Sequence, residues 1–145
     1  MESRVERAVE LFKSGYNCSQ AVFVAYADLF GLNEEVALKV SSSFGGGMGG
    51  LRETCGAVSA MAMLAGLHNG VTTAGDKEGK KANNELVQAL ANRFKDDNGS
   101  IVCKELLGLS PGLPDGQRRT TCTDKVRYSA QLVEEYLMNN KYVIV

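Results

Sequence analysis

Glycines at positions 15, 31, 99 and 108 each follow a run of apolar residues at helical spacing, and they cut the chain into helix-sized pieces. Val5, Ala8, Val9 and Phe12 mark the inner face of a first helix that Gly15 stops. Asn17 caps a second, which carries Ala21, Val22, Val24, Ala25 and Leu29 and ends at Gly31. Asn33 caps a third, with Glu34 and Glu35 set favourably against the dipole in its first turn. A polar helix over Asp76 to Asp97 turns Leu86, Val87, Leu90, Ala91 and Phe94 inward and ends at Asn98-Gly99. Ser100 is placed to cap a short helix through Leu107, and Ser110 to Gly116 reads as a loop. A last helix is expected from about Thr123 to Asn139, with Val126, Leu132, Val133, Tyr136 and Leu137 inward. Tyr142 to Val145 has strand-like composition without a partner.

Between the third helix and the next lies Phe44-Gly45-Gly46-Gly47-Met48-Gly49-Gly50, which no regular element tolerates. The helix after it starts near Glu53 or Thr54 and runs to about Leu67. It is almost uncharged beyond Glu53 and apolar on all sides, so it is expected to be central and buried. The fold class that follows is all-α: one domain over residues 1–145, a bundle of six to seven helices with a glycine-rich loop before the central one.

Charge removes several functions. The formal net charge is -1, and the short basic pairs Lys80-Lys81 and Arg118-Arg119 make no stripe, so no nucleic acid is expected as a partner. The most apolar stretch, Ala57 to Leu67, is about half the ~20 residues that a membrane span needs, so no membrane insertion is expected. The opening residues MESRVERAVELF are charged and amphipathic, unlike a targeting signal, and a cytoplasmic location is expected. Cysteines in such a compartment serve more often as ligands or redox groups than as structural disulfides.

Four cysteines, Cys18, Cys55, Cys103 and Cys122, then carry the argument. Each falls in or beside the expected first turn of a different helix. Unpaired N–H groups and the positive dipole end there favour thiolate, which is both nucleophile and metal ligand. Their spacings of 37, 48 and 19 residues contain no Cys-x-x-Cys, so only the tertiary fold can assemble a site. Gly45, Gly46, Gly47, Gly49 and Gly56 are candidates for backbone contact with a cofactor or anion beside Cys55. The loop is no dinucleotide or Walker fingerprint, because neither a preceding strand nor a Gly-Lys-Ser/Thr is present.

Weaker candidates surround these. His68 suits the C-terminal end of its helix, Arg52 could accompany an anionic site, and Asn17 and Ser19 flank Cys18. Met48, Met61 and Met63 are expected to fill gaps in the core. No Ser/His/Asp set and no paired carboxylates support hydrolysis.

Taken together, Gly15-Tyr16-Asn17-Cys18-Ser19-Gln20, Phe44 to Gly49, Cys55-Gly56-Ala57, Cys103 and Cys122 resemble the C_GCAxxG_C_C family, whose members are described as redox-active. The resemblance covers nearly the whole chain. It departs at Ala60, where the motif Cys55-Gly56-Ala57-Val58-Ser59-Ala60 should end in glycine. The family resemblance implies a redox role and a relation to domains of split-Soret cytochromes. The absence of Cys-x-x-Cys-His excludes covalent c-type haem.

The leading expectation is an oxidoreductase or electron carrier whose four cysteines hold an iron–sulfur cluster, with zinc as the other metal that Cys₄ ligation suits. A cofactor-free dithiol that cycles through a disulfide is the second reading. A helical module holding a small anion at the glycine loop is the third. The redox partner is unknown, and a homodimer would be one way to complete such a site.

Overall fold

The computed structural model describes residues 2–108 and 115–138, with backbone alone for residues 115–120. Seven α-helices follow one another: α1 (Val5–Lys13), α2 (Cys18–Ala27), α3 (Glu34–Ser42), α4 (Gly56–Asn69), α5 (Lys77–Asn98), α6 (Cys103–Leu106) and α7 (Asp115–Val133). A 3₁₀ turn (Asp28–Phe30) extends α2, and a π-helical turn (Glu134–Met138) extends α7. Among the described residues no strand forms, so the all-α class holds; the nearest thing to one is an isolated antiparallel bridge between Thr54 and Val102.

The helix starts follow from local chemistry. Asn17 makes a full capping box: its Oδ1 accepts from the Gln20 amide at 2.8 Å, while the Asn17 amide donates to Gln20 Oε1 at 3.1 Å. Asn33 accepts from Val36 N and Asp76 from Gly79 N in the same manner. Gly31 and Gly99 take positive φ at helix ends, the left-handed stop that their lack of a Cβ permits.

Helix α2 forms the middle of the bundle. It packs on α1, α3, α4 and α7, and of its ten residues only Gln20 is not buried. Helix α4, which its composition marked as central, shares that position through Ala57, Val58, Ala60, Met61, Leu64 and Ala65 but surfaces at Leu67. Small residues on both helices allow the close approach. Phe12, Leu90, Phe94, Val126, Leu132, Val133 and Leu137 complete the core around them.

Three expectations about boundaries and packing need correction. Ser100 does not cap α6: Val102 occupies the cap position without a side-chain hydrogen bond, and α6 begins at Cys103. The backbone at its start is drawn into pairing with residues 52–55, through Cys55 N to Ile101 O, Cys103 N to Glu53 O and Lys104 N to Arg52 O. Helix α7 begins at Asp115 instead of near Thr123, which makes Cys122 its eighth residue and not a helix start. Met48 is 47% exposed and fills no core gap, because it sits on the outside of the glycine loop, whereas Met61 is fully buried and Met63 half-buried. Most of the expected loop from Ser110, together with Asn139 and the strand-like Tyr142 to Val145, lies outside the described residues.

Candidate functional site

The glycine run explains how the site is framed. Gly46, Gly47, Met48, Gly49 and Gly50 all have positive φ, between 58° and 79°, so the chain makes one left-handed turn. Side chains disfavour that turn by about 1–2 kcal/mol per residue, which is why four of the five are glycine. The loop is no loose connector. Its amides return to its own carbonyls: Gly49 N to Ser43 O, Gly50 N to Gly45 O, Arg52 N to Gly46 O and Glu53 N to Gly47 O. Two glycines are further required by contact. A Cβ on Gly45 would lie 2.3 Å from Asn17 Cγ, and one on Gly47 would lie 2.6 Å from Glu53 N. The turn thus presses against the cap of α2 on one side and the start of α4 on the other.

All four cysteines line one cavity of about 370 Å³. Cys18 comes from the first residue of α2, Cys55 from the cap position of α4, Cys103 from the first residue of α6 and Cys122 from the eighth residue of α7. Phe12, Asn17, Gly46, Arg52, Leu106, Leu107, Thr121 and Lys125 complete its lining. Among the described residues none of the four cysteines is joined to another; Cys18, Cys55 and Cys103 are buried and Cys122 is half-buried. The antiparallel bridge at Thr54 and Val102 is what draws Cys55 and Cys103 to the same cavity. A two-residue pairing leaves no periodic trace in a sequence, so the reading from residues alone missed it.

Within the cavity two thiols form a pair. The Cys55 thiol hydrogen-bonds to Cys18 and is the main reason that Cys18 is lowered from the usual 9.0 to about 6. Burial opposes the shift, and the amides of Gly46, Ser19 and Ala57 support it. Cys55 moves the other way, well above the ordinary thiol range, because its proton is held toward Cys18, because it is buried, and because Cys18 carries the charge. The two shifts are opposite in direction, so Cys18 is the sulfur favoured as thiolate and Cys55 the one favoured as its proton donor. Gly56 is what lets them meet. A Cβ there would stand 2.6 Å from Cys18 Sγ and 2.8 Å from Phe44 O.

The remaining candidates sort by position. Arg52 has its guanidinium 3.8 Å from Cys103 Sγ and holds a left-handed φ of 63°. Lys125, which the reading from sequence did not single out, reaches the cavity from α7 and donates to Asn98 Oδ1 at 2.8 Å. Only its sequence neighbourhood, three residues after Cys122, could have pointed to it. Of the five candidate glycines, Gly46 lines the cavity; Gly45, Gly47 and Gly56 shape it from behind, and Gly49 has only Ser43 O near it. Asn17 lines it as well. Ser19 is fully buried, and its hydroxyl has no hydrogen-bond partner among the described residues. His68 lies in the last turn of α4 and does not line the cavity. Ala60, where the motif would have glycine, is fully buried in the core, which accepts the extra methyl.

A metal ion asks more of the cysteines than a shared cavity. Zinc takes four ligands at about 2.0–2.3 Å from one point. Among the described residues no group of three or more His, Cys, Asp or Glu is placed to hold an ion. Also among them, no helix is long and apolar enough to cross a membrane.

Comparison with known proteins fits this geometry. Residues 16–136 match the family described as "Putative redox-active protein (C_GCAxxG_C_C)". No curated protein and no solved structure matches the chain.

Proposed function

The chain belongs to the C_GCAxxG_C_C family, and from that premise we propose that it is a thiol–disulfide oxidoreductase in which Cys18 is the nucleophile and Cys55 the resolving thiol. The observation that carries this reading is that the buried Cys18 and Cys55 line one cavity, where Cys55 favours the thiolate of Cys18 and Cys18 favours the protonated form of Cys55. A thiolate attacks disulfides and a thiol does not, and a thiolate whose pKa lies near the ambient pH combines abundance with nucleophilicity.

The half-reaction that oxidises the protein dithiol balances without a cofactor. Cys18 Sγ attacks one sulfur of a substrate disulfide R–S–S–R, forming a mixed disulfide and releasing R–S⁻. With Cys18 no longer charged, Cys55 loses the influence that held its proton. Its proton passes to the departing thiolate side, and its sulfur attacks Cys18 Sγ. A Cys18–Cys55 disulfide and a second equivalent of reduced thiol result, so two electrons have moved from the protein to the substrate. The amides of Gly46, Ser19 and Ala57 steady the anion at the start.

Counting free thiols before and after one equivalent of a mild oxidant tests this. The expected result is a loss of two, with Cys18 and Cys55 found joined by peptide mapping and no loss in Cys18→Ser. Retention of both as thiols under oxidant would defeat the reading.

A second reading rests on a different observation, namely that all four cysteines line the same cavity. Four thiolates suit an iron–sulfur cluster, which bridges sulfurs that a single ion cannot reach. Cys18, Cys55, Cys103 and Cys122 would hold it, and it would supply one-electron transfer. Anaerobic purification followed by iron and sulfide analysis decides between the two: stoichiometric iron and sulfide, lost in each single Cys→Ser variant, would favour the cluster.

A further inference from the structure

Among the described residues, two cations line the thiol cavity and no carboxylate does. Arg52 stands beside Cys103, and Lys125 reaches in from α7. Neither forms an ion pair among the described residues. Glu53, Glu105 and Asp124 are close in sequence to these groups, but all three are exposed and none lines the cavity. The rest of the described lining is apolar or neutral, so positive charge faces the sulfurs across a low-polarity wall, where it is screened less than at an open surface.

Access further limits the substrate. Cys18, Cys55 and Cys103 are 9%, 6% and 7% exposed, too little for a disulfide on the surface of a folded protein to reach. The cavity volume of about 370 Å³ falls in the range that holds small molecules.

We propose, resting on the thiol–disulfide reading above, that the substrate is a low-molecular-weight disulfide carrying carboxylates, with Arg52 and Lys125 as its binding residues. Arg52 offers a planar donor fork suited to a carboxylate, and Lys125 a point charge. The disulfide is thereby brought over Cys18 with its acidic ends directed to the two cations. Cys18 Sγ attacks one sulfur and expels an anionic thiolate, whose developing charge the same cations favour. Cys55 then closes the protein disulfide and a second anionic thiol leaves.

The test compares three small disulfides of different charge on the reduced protein: 5,5′-dithiobis(2-nitrobenzoate) as the dianion, 4,4′-dithiodipyridine as the neutral reagent and cystamine as the dication. Each rate is normalised to that of the same reagent with the urea-unfolded chain. The expected order is dianion, neutral, dication, with roughly tenfold or more between the first two at low salt and a smaller ratio at high salt. Arg52→Gln with Lys125→Gln should bring that ratio close to one, and Arg52→Lys should restore part of it. Equal normalised rates in the unaltered protein, or a ratio unmoved by the double substitution, would overturn the substrate class. If all three reagents still drive formation of the Cys18–Cys55 disulfide, only the substrate class fails. If none does, the oxidoreductase reading fails with it.

Discussion

At the scale of single residues, the chemistry depends on where one proton sits. Cys18 is favoured as thiolate chiefly because Cys55 donates to it, so removing that donor should raise Cys18 toward an ordinary thiol. The rate of Cys18 alkylation by iodoacetamide should rise with pH through about 6 and then level off. In Cys55→Ala the midpoint should move upward, since the remaining amides act against burial alone. Mass spectrometry of the labelled peptide reads both profiles, and a midpoint near 9 in the unaltered chain would count against the pair. Gly56 offers a second test from the opposite direction. Gly56→Ala drives a methyl into Cys18 Sγ and Phe44 O, and overpacking of this kind costs about 1–3 kcal/mol. Urea denaturation should show that loss, together with an upward shift of the alkylation midpoint as the two sulfurs are forced apart. Neither contact could be read from the chain. Cysteines near helix starts were visible at Cys18, Cys55 and Cys103, but which two would meet depends on how α2 crosses α4.

Among the elements, the left-handed turn and the Thr54–Val102 bridge act as one strap. The turn leads through a left-handed Arg52 to Cys55, and Ile101, Cys103 and Lys104 pair with Cys55, Glu53 and Arg52 where α6 begins. Gly47 is the position most exposed to a test. Its φ is 71°, and a Cβ would lie 2.6 Å from Glu53 N and 2.7 Å from Arg52 Cα. Gly47→Ala should therefore displace the strap itself, at a cost of a few kcal/mol from the left-handed backbone and the clash together. Hydrogen exchange at the Cys55 and Cys103 amides should accelerate well beyond that of the α2 amides. Uniform acceleration across the chain would mean that the turn has no local role. The glycine run announced an irregular turn because no regular element accepts such a sequence. The strap's other half was not legible, since Ser100-Ile101-Val102 reads equally well as a helix cap, and pairing with a distant segment decided otherwise. The start of α7 was missed for a related reason: Ser110 to Gly116 is full of breakers, yet Asp115 and Gly116 are already helical.

The molecule as a whole is closed by a polar group that no motif announces. Glu134, on the π-helical turn after α7, accepts from the Arg4 amide at 2.7 Å, from Ser3 Oγ at 3.1 Å and from the hydroxyl of Tyr26 at 2.5 Å. One carboxylate thereby joins the start of α1, the middle helix α2 and the end of α7. The helical periods of these three segments were plain in the sequence, and so was the all-α class, because amphipathic spacing is local. Their closure was not, because it pairs groups more than a hundred residues apart. Tyr26 is fully buried, and burial first, then its bond to Glu134, holds its hydroxyl far above the ordinary 10.0. The sign of the linkage follows. An unfolded chain releases this proton near pH 10 and the folded chain keeps it, so the contribution to stability is complete below about pH 10 and falls as pH rises beyond it. Tyr26 should stay un-ionised in an alkaline absorbance titration until the protein unfolds, later than Tyr128, which burial and Asp97 raise to about 12. Tyr26→Phe should abolish that late step. A double-mutant cycle with Glu134→Gln, followed by urea denaturation, should return a coupling of about 1.5–3 kcal/mol, the range for a hydrogen bond to a charged group. Additive losses would mean that α2 and α7 are held by apolar packing alone. The thiol cavity would then owe nothing to this closure, although α2 and α7 contribute Cys18 and Cys122 to its wall.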